Sequence, residues 1–173
     1  MSDMQRINES LRRAAAYLAE HPQAAFSQDT PAVAVLESGL RCRADAPGGV
    51  ASLVSDMPAA IGGEGQAPTP GWWLRAALAN CDATVLAMRA AQLGIVLERL
   101  EVTVGSESDD RGLLGLTESA PAGPLRVRVT VRLSATGASQ EKLEELVRWS
   151  EKHSPVSDAV RRAVPVVTEL VVD

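Results

Sequence analysis

The sequence predicts an α+β domain in which helices pack on antiparallel sheet, and three patterns point to it. Short apolar runs punctuated by turn residues fill the stretch from Ala32 to Pro58. A long apolar helix follows, from about Trp72 to Leu93. Two alternating segments, Val96–Val104 and Leu125–Leu133, each keep one polar face, which favours antiparallel over parallel pairing.

Taken in order, Ser2 to Glu20 reads as an amphipathic helix, with Ile7, Leu11, Ala15 and Leu18 at helical spacing and Ser2 with Gln5 forming a capping box. His21-Pro22 ends it. The runs Ala32–Leu36, Gly39–Ala44 and Val50–Val54, separated by Ser38-Gly39 and Pro47-Gly48-Gly49, predict a β-meander. Pro58 to Gly71 holds four glycines and three prolines in fourteen residues and is a loop. The helix after it is apolar nearly all round, which predicts burial on most of its circumference. Gly94 closes it.

The strand Val96–Val104 has Leu100, Val102 and Val104 on one face; in Leu125–Leu133 the inward set is Leu125, Val127, Val129, Val131 and Leu133. An acidic, glycine-rich connection joins them and contains Asp110-Arg111-Gly112. Ser139 caps a helix reaching about Lys152, with Leu143, Leu146, Val147 and Ser150 inward. Ser154-Pro155 starts another, running to about Arg161, with serine as N-cap and proline in the first helical position. Pro165 breaks the chain, and Val166–Val172 is expected to close it as a strand.

Composition narrows the function. The 173 residues fit one domain, with 46% apolar and 23% charged residues. Seventeen basic against twenty-two acidic residues leave a net charge of −5, which argues against nucleic acid as a partner. Charged residues interrupt any leader-like run near the N-terminus, and Arg75, Asp82 and Arg89 make the long helix unsuited to a membrane. Two cysteines, Cys42 and Cys81, make no disulfide framework, so a cytoplasmic location is expected. With two histidines, no CxxC pair, no HExxH and no Walker-type loop, no metal site or cofactor is predicted.

Cys81 is the residue of chemical interest, inside the long helix on a stripe with Trp73, Leu74 and Ala77. Its plain alternative is a small buried hydrophobe in a core. Cys42 alternates in a strand whose neighbours Arg41 and Arg43 point to the opposite face, and the same plain alternative applies.

The run GGEGQAPTPGWWLRAALANCDATVLAM resembles the glycine-rich loop and central helix of the OsmC/Ohr superfamily. GIVLERLEVTVGSESDDRGLLG is similar to that family's strand and D-x-R-G segment, and SQEKLEELVRWSEKHSPVSDAV to its helix–EKxCPVS–helix element. The resemblance covers Ala32 to the C-terminus, which implies an OsmC-like domain over residues 32–173 and an N-terminal helical extension over residues 1–22.

The resemblance implies curved antiparallel sheets around the central helix and an intertwined homodimer with active sites at the interface. A helix apolar on nearly all faces also favours dimerisation without it. It further implies peroxiredoxin-like chemistry in the oxidative stress response, with a thiol reducing organic hydroperoxides, and the peroxidatic cysteine matches Cys81. The resolving cysteine's position is Ser154, and the activating glutamate's position is Gly71. Glu64 stands in the adjoining loop as a substitute carboxylate, and Arg41 and Arg43 are the candidate activating arginines, with Arg75 and Arg111 as further choices. Three readings follow: a one-cysteine hydroperoxide reductase served by an external thiol or dithiol; a non-catalytic protein binding a small apolar ligand in an interfacial pocket lined by Trp72 or Trp73 and Cys81; or a redox sensor capped by a small thiol.

Overall fold

The computed structural model describes residues 2–162 and 164–172. They form two compact units, residues 9–77 and residues 2–8 with 78–162 and 164–172.

Helix α1 spans Asp3–Glu20. Its predicted capping box is formed: the Ser2 amide donates to Gln5 Oε1 at 2.9 Å, and the Gln5 amide to Ser2 Oγ at 3.3 Å. The helix stops one residue before His21-Pro22. Strands β1 (Val33–Ser38), β2 (Arg41–Asp45) and β3 (Ser52–Ser55) make an antiparallel meander in the order β1-β2-β3, as expected from the turn residues between them.

The loop that follows is organised by Asp56. Its carboxylate accepts from the amides of Met57, Glu64 and Gln66 at 2.7, 3.2 and 3.1 Å, folding the glycine-rich segment back on its own start. Gly63 lies so close to this return that a Cβ there would sit 1.9 Å from the Met57 carbonyl oxygen. Only glycine fits that approach.

Helix α2 runs from Pro70 to Leu93, two residues longer at its start than predicted. Thr69 caps it, accepting from the Trp72 amide at 3.2 Å, with Pro70 in the first position, where the missing N–H costs nothing. Gly94 ends it in the left-handed region at φ +68°. The prediction that α2 is buried nearly all round is corrected: the buried set is one stripe, Leu78, Asp82, Val85, Leu86, Ala90 and Ala91, while Trp72, Leu74 and Leu93 are exposed. An apolar composition on every face does not say which sector a single chain covers.

Strands β4 (Leu97–Glu107) and β5 (Arg126–Ala135) pair antiparallel over their whole lengths, and β4 extends further than its alternation suggested. A single turn, α3 (Asp110–Leu113), is capped by Asp109, whose side chain accepts from the Arg111 amide. Helices α4 (Gln140–His153) and α5 (Pro155–Arg161) follow. The core of this unit joins Leu86 and Ala90 of α2 to Leu146 of α4, with Ile95, Leu97, Leu100, Val102, Val131 and Val147 packed around them. Burying a leucine such as Leu146 contributes about 1.5–3 kcal/mol. The expected closing strand at Val166–Val172 is not formed: the segment has no secondary structure, and Val166, Val167, Leu170, Val171 and Val172 are exposed. Two valine pairs, Val166-Val167 and Val171-Val172, supply strand propensity, but a strand needs an edge to pair with.

Candidate functional site

The middle of α2 and the start of α5 meet at two side-chain pairs. Cys81 sits in the middle of α2 with its residue partly exposed. The Ser154 hydroxyl donates to Cys81 Sγ at 3.2 Å, and Ser154 itself is fully buried. Beside this pair, the Ser157 hydroxyl donates to Asp82 Oδ1 at 2.7 Å.

Ser154 reaches its place because it serves two helices. Its amide donates to the Ser150 carbonyl at 2.9 Å and closes α4, while its hydroxyl accepts from the Ser157 amide at 3.5 Å and opens α5. The sequence predicts the N-cap from Ser-Pro; that the same oxygen also meets Cys81 follows from packing between segments 73 residues apart. Chemically, the pair offers a thiol whose sulfur is an acceptor for a hydroxyl proton, with no second thiol within the pair.

The candidate arginines Arg41, Arg43 and Arg111 have carboxylate partners. Arg41 pairs with Glu37 at 3.1 Å, and Arg43 with Glu37 at 2.6 Å and with Asp45. The Arg43 guanidinium holds the Glu37 carboxyl below its usual range; the Ser52 hydroxyl, then Arg43, does the same for Asp45. Arg111 is held by Asp109 at 2.6 Å, which raises the guanidinium and lowers the carboxyl. Glu64 is exposed on the loop that Asp56 folds, its amide given to Asp56 Oδ2. Gly71 lies in the first turn of α2, where a Cβ would make only ordinary contacts, with Arg75 Nη1 at 3.7 Å and Thr69 Oγ1 at 3.9 Å. Trp73 Nε1 donates to the Val54 carbonyl at 2.9 Å, tying α2 to β3, and Trp72 packs edge-on against Trp73 at 4.8 Å.

A cavity of about 530 Å³ opens beside α4, walled by Leu86, Val129, Val131 and Val147 with Asp82 and Ser150 among its polar groups. It lies wholly in the unit that holds Cys81, and is a different space from the tryptophan-lined pocket expected from the sequence. Two residues that the sequence reading missed are Asp56 and Asp82, both buried carboxylates. A signal existed for Asp56, which stands two residues before a proline and ahead of a glycine-rich loop, the setting of an Asx turn. For Asp82 there was none beyond a charge on an apolar helix.

The family model described as OsmC-like protein matches residues 63–169, a span that includes Cys81, Asp82, Ser154 and Ser157. The chain belongs to the OsmC family. Among solved structures, this OsmC-family chain is similar to an organic hydroperoxide resistance protein OsmC from Legionella pneumophila, at 24% identity and a TM-score of 0.57 over 78% of this chain and 92% of that one. An OsmC-like protein from Mycoplasma pneumoniae matches at 14% identity and a TM-score of 0.66, covering 79% of this chain and 89% of that one. The organic hydroperoxide resistance protein OhrB of Bacillus subtilis matches at 22% identity and a TM-score of 0.51, covering 76% and 91%. At these identities the likeness is one of fold, and the α+β architecture with antiparallel sheets is that of the OsmC/Ohr structures. Among curated proteins none is detectably similar in sequence. Among the described residues no helix is long and apolar enough to cross a membrane, and no cluster of ligating side chains could hold a metal ion.

Proposed function

We propose that this chain is a one-cysteine, thiol-dependent organic hydroperoxide reductase acting through Cys81. The observation that carries the reading is the Ser154 hydroxyl 3.2 Å from the Cys81 sulfur, at the helix start where the family resemblance places a second thiol. Two of the solved structures of the same fold are organic hydroperoxide resistance proteins, which supports the substrate class.

In this reading the Cys81 thiolate attacks the distal oxygen of ROOH. The S–O bond forms as the O–O bond breaks, and the alkoxide leaves as ROH after taking a proton. Serine has no sulfur to condense with the sulfenic acid, so an external thiol attacks it, releasing water and leaving a mixed disulfide. A second thiol equivalent then frees Cys81. Such a reductant fits the thiol-rich cytoplasm. Ser154 donates to the reacting sulfur and holds its position.

The protein works as a homodimer, a reading supported by the family resemblance and by Trp72, Leu74, Met88 and Leu93, which α2 leaves between 37% and 48% exposed. A mass near 18.2 kDa by light scattering would refute it. We assign residues 32–173 to the OsmC-like domain and 1–22 to a helical extension.

The deciding assay is consumption of an organic hydroperoxide by wild type and Cys81→Ser with a panel of monothiol and dithiol reductants. Wild type should turn over only with reductant present, and Cys81→Ser should not. Equal rates in the two would overturn the proposal. One observation favours a second reading, a non-catalytic protein that binds a small apolar ligand: Arg41, Arg43 and Arg111 are each engaged by a carboxylate. In that case neither protein consumes peroxide.

A further inference from the structure

We propose that Asp82 and Ser157 are positioning residues: together they hold the first turn of α5 on α2 and thereby keep the Ser154 side chain on the Cys81 sulfur. The inference rests on the reading of Cys81 as the reacting thiol for its functional meaning, but not for its geometry.

The starting point is a carboxylate in the wrong place. Asp82 lies on the buried stripe of α2 and is 6% exposed, a position that is costly for a charge without a hydrogen bond. Its partner is Ser157, 2% exposed, the third residue of α5. In a reciprocal cap, a side chain at that position turns back to the amide of the capping residue. Here the Ser154 amide is already given to Ser150, so the Ser157 hydroxyl is released to point outward, and Asp82 receives it.

The result is two bonds side by side, Cys81 with Ser154 and Asp82 with Ser157. The polarity of the set is fixed from the Asp82 end. The Ser157 hydroxyl has a single proton, and it donates that proton to Asp82 Oδ1. The Ser157 amide takes a lone pair of Ser154 Oγ, which leaves the Ser154 proton for the sulfur. Asp82 also lines the 530 Å³ cavity, so the Ser157 hydroxyl is the protein group that holds its carboxylate on the α5 side.

The test uses the Ser154→Cys background, in which the effective concentration of the introduced thiol at Cys81 is measured by equilibration with glutathione buffers. That equilibrium needs no peroxidase activity, so a chain that consumes no hydroperoxide still answers the question. Asp82→Ala and Ser157→Ala should each lower the effective concentration about tenfold, the size of one hydrogen bond to a charged group, and the double variant should lose no more than either single one. Asp82→Asn and Ser157→Thr, which keep an acceptor and a donor, should restore it to within about threefold. If the alanine variants do not fold, Asp82→Leu decides, since it removes the tie while filling the space that alanine would leave empty. Unchanged effective concentration in Asp82→Leu or in folded Ser157→Ala, or a loss that Asp82→Asn and Ser157→Thr do not rescue, overturns the proposal.

Discussion

The Ser154 hydroxyl lies 3.2 Å from the Cys81 sulfur across 73 residues of chain, and one atom separates this arrangement from a dithiol. Exchanging that oxygen for sulfur, Ser154→Cys, should give a peroxide-dependent disulfide between the two positions. Peptide mapping after stoichiometric hydroperoxide would show it. Absence of the bond under excess peroxide would mean that the two side chains do not meet in solution. Adding Gly71→Glu, at a position where a Cβ meets only ordinary contacts, should speed turnover where an arginine is in place, by supplying the carboxylate that the family resemblance puts at that position.

In the wild-type chain, peroxide should leave Cys81 as a sulfenic acid, an overoxidised acid or a mixed disulfide with added thiol. Cys42 lies in β2, opposite Leu36 and Ser55, and is free, as is Cys81. Intact-mass analysis should therefore find an adduct on Cys81. A dominant bridge between Cys42 and Cys81 would contradict the one-cysteine reading.

Removing the shared cap has a stability cost. Ser154→Ala deletes the oxygen that opens α5 and should destabilise the protein by about 1 kcal/mol, with Ser154→Thr restoring much of it. Chemical denaturation at fixed protein concentration measures the difference. Equal midpoints for Ser154→Ala and wild type would show that the cap contributes nothing.

Gly63 in the loop and Gly71 in the first turn of α2 should respond in opposite ways. Gly63→Ala places a methyl group 1.9 Å from the Met57 carbonyl oxygen, and should cost on the order of 2 kcal/mol or more as the loop is forced open. Gly71→Ala meets nothing nearer than 3.7 Å inside a helical turn, and should be neutral or stabilising by up to about 1 kcal/mol. The two thermal midpoints should move apart, and a change in the same direction would refute the contrast.

Asp56 gives the loop a pH dependence. The amide of Gln66, then those of Met57 and Glu64, hold its carboxyl below the usual range against the opposing effect of burial. A depressed folded-state value means that its contribution is fully present above the unfolded carboxylate value of about 3.9, and is lost as the pH falls through the folded value. The midpoint difference between wild type and Asp56→Asn should therefore be constant near neutrality and shrink below about pH 4. A constant gap down to pH 3 would show that the charge is not what organises the loop.

Much of this molecule was legible in residue patterns because the signals are local. Ser2, Ser139 and Ser154 mark helix starts, and Gly94 marks an end, through bonds that reach no more than four residues. The meander was legible for the same reason. The closing strand failed because Val166–Val172 has the residue types of a strand but pairs with no strand among the described residues. Asp82 was unreadable because its partner lies 75 residues away, and the stripe of α2 that is covered depends on where α4 and the β4–β5 sheet pack. Cys81 and Ser154 were legible as candidates through the family resemblance, whereas their contact is a property of the fold.

Helices α4 and α5 share Ser154 as the last cap of one and the first cap of the other, so no spare residue separates them. A junction of this kind has no slack in its length. Inserting or deleting one residue between His153 and Pro155 would change the path from α4 to α5 and carry Ser157 away from Asp82. Exchanging the side chain at position 154 leaves the backbone path unaltered. The joint is therefore strict about how many residues it contains and permissive about which small, hydrogen-bonding group it presents, so that the chemistry beside Cys81 can be rewritten by single-codon change without rebuilding the scaffold.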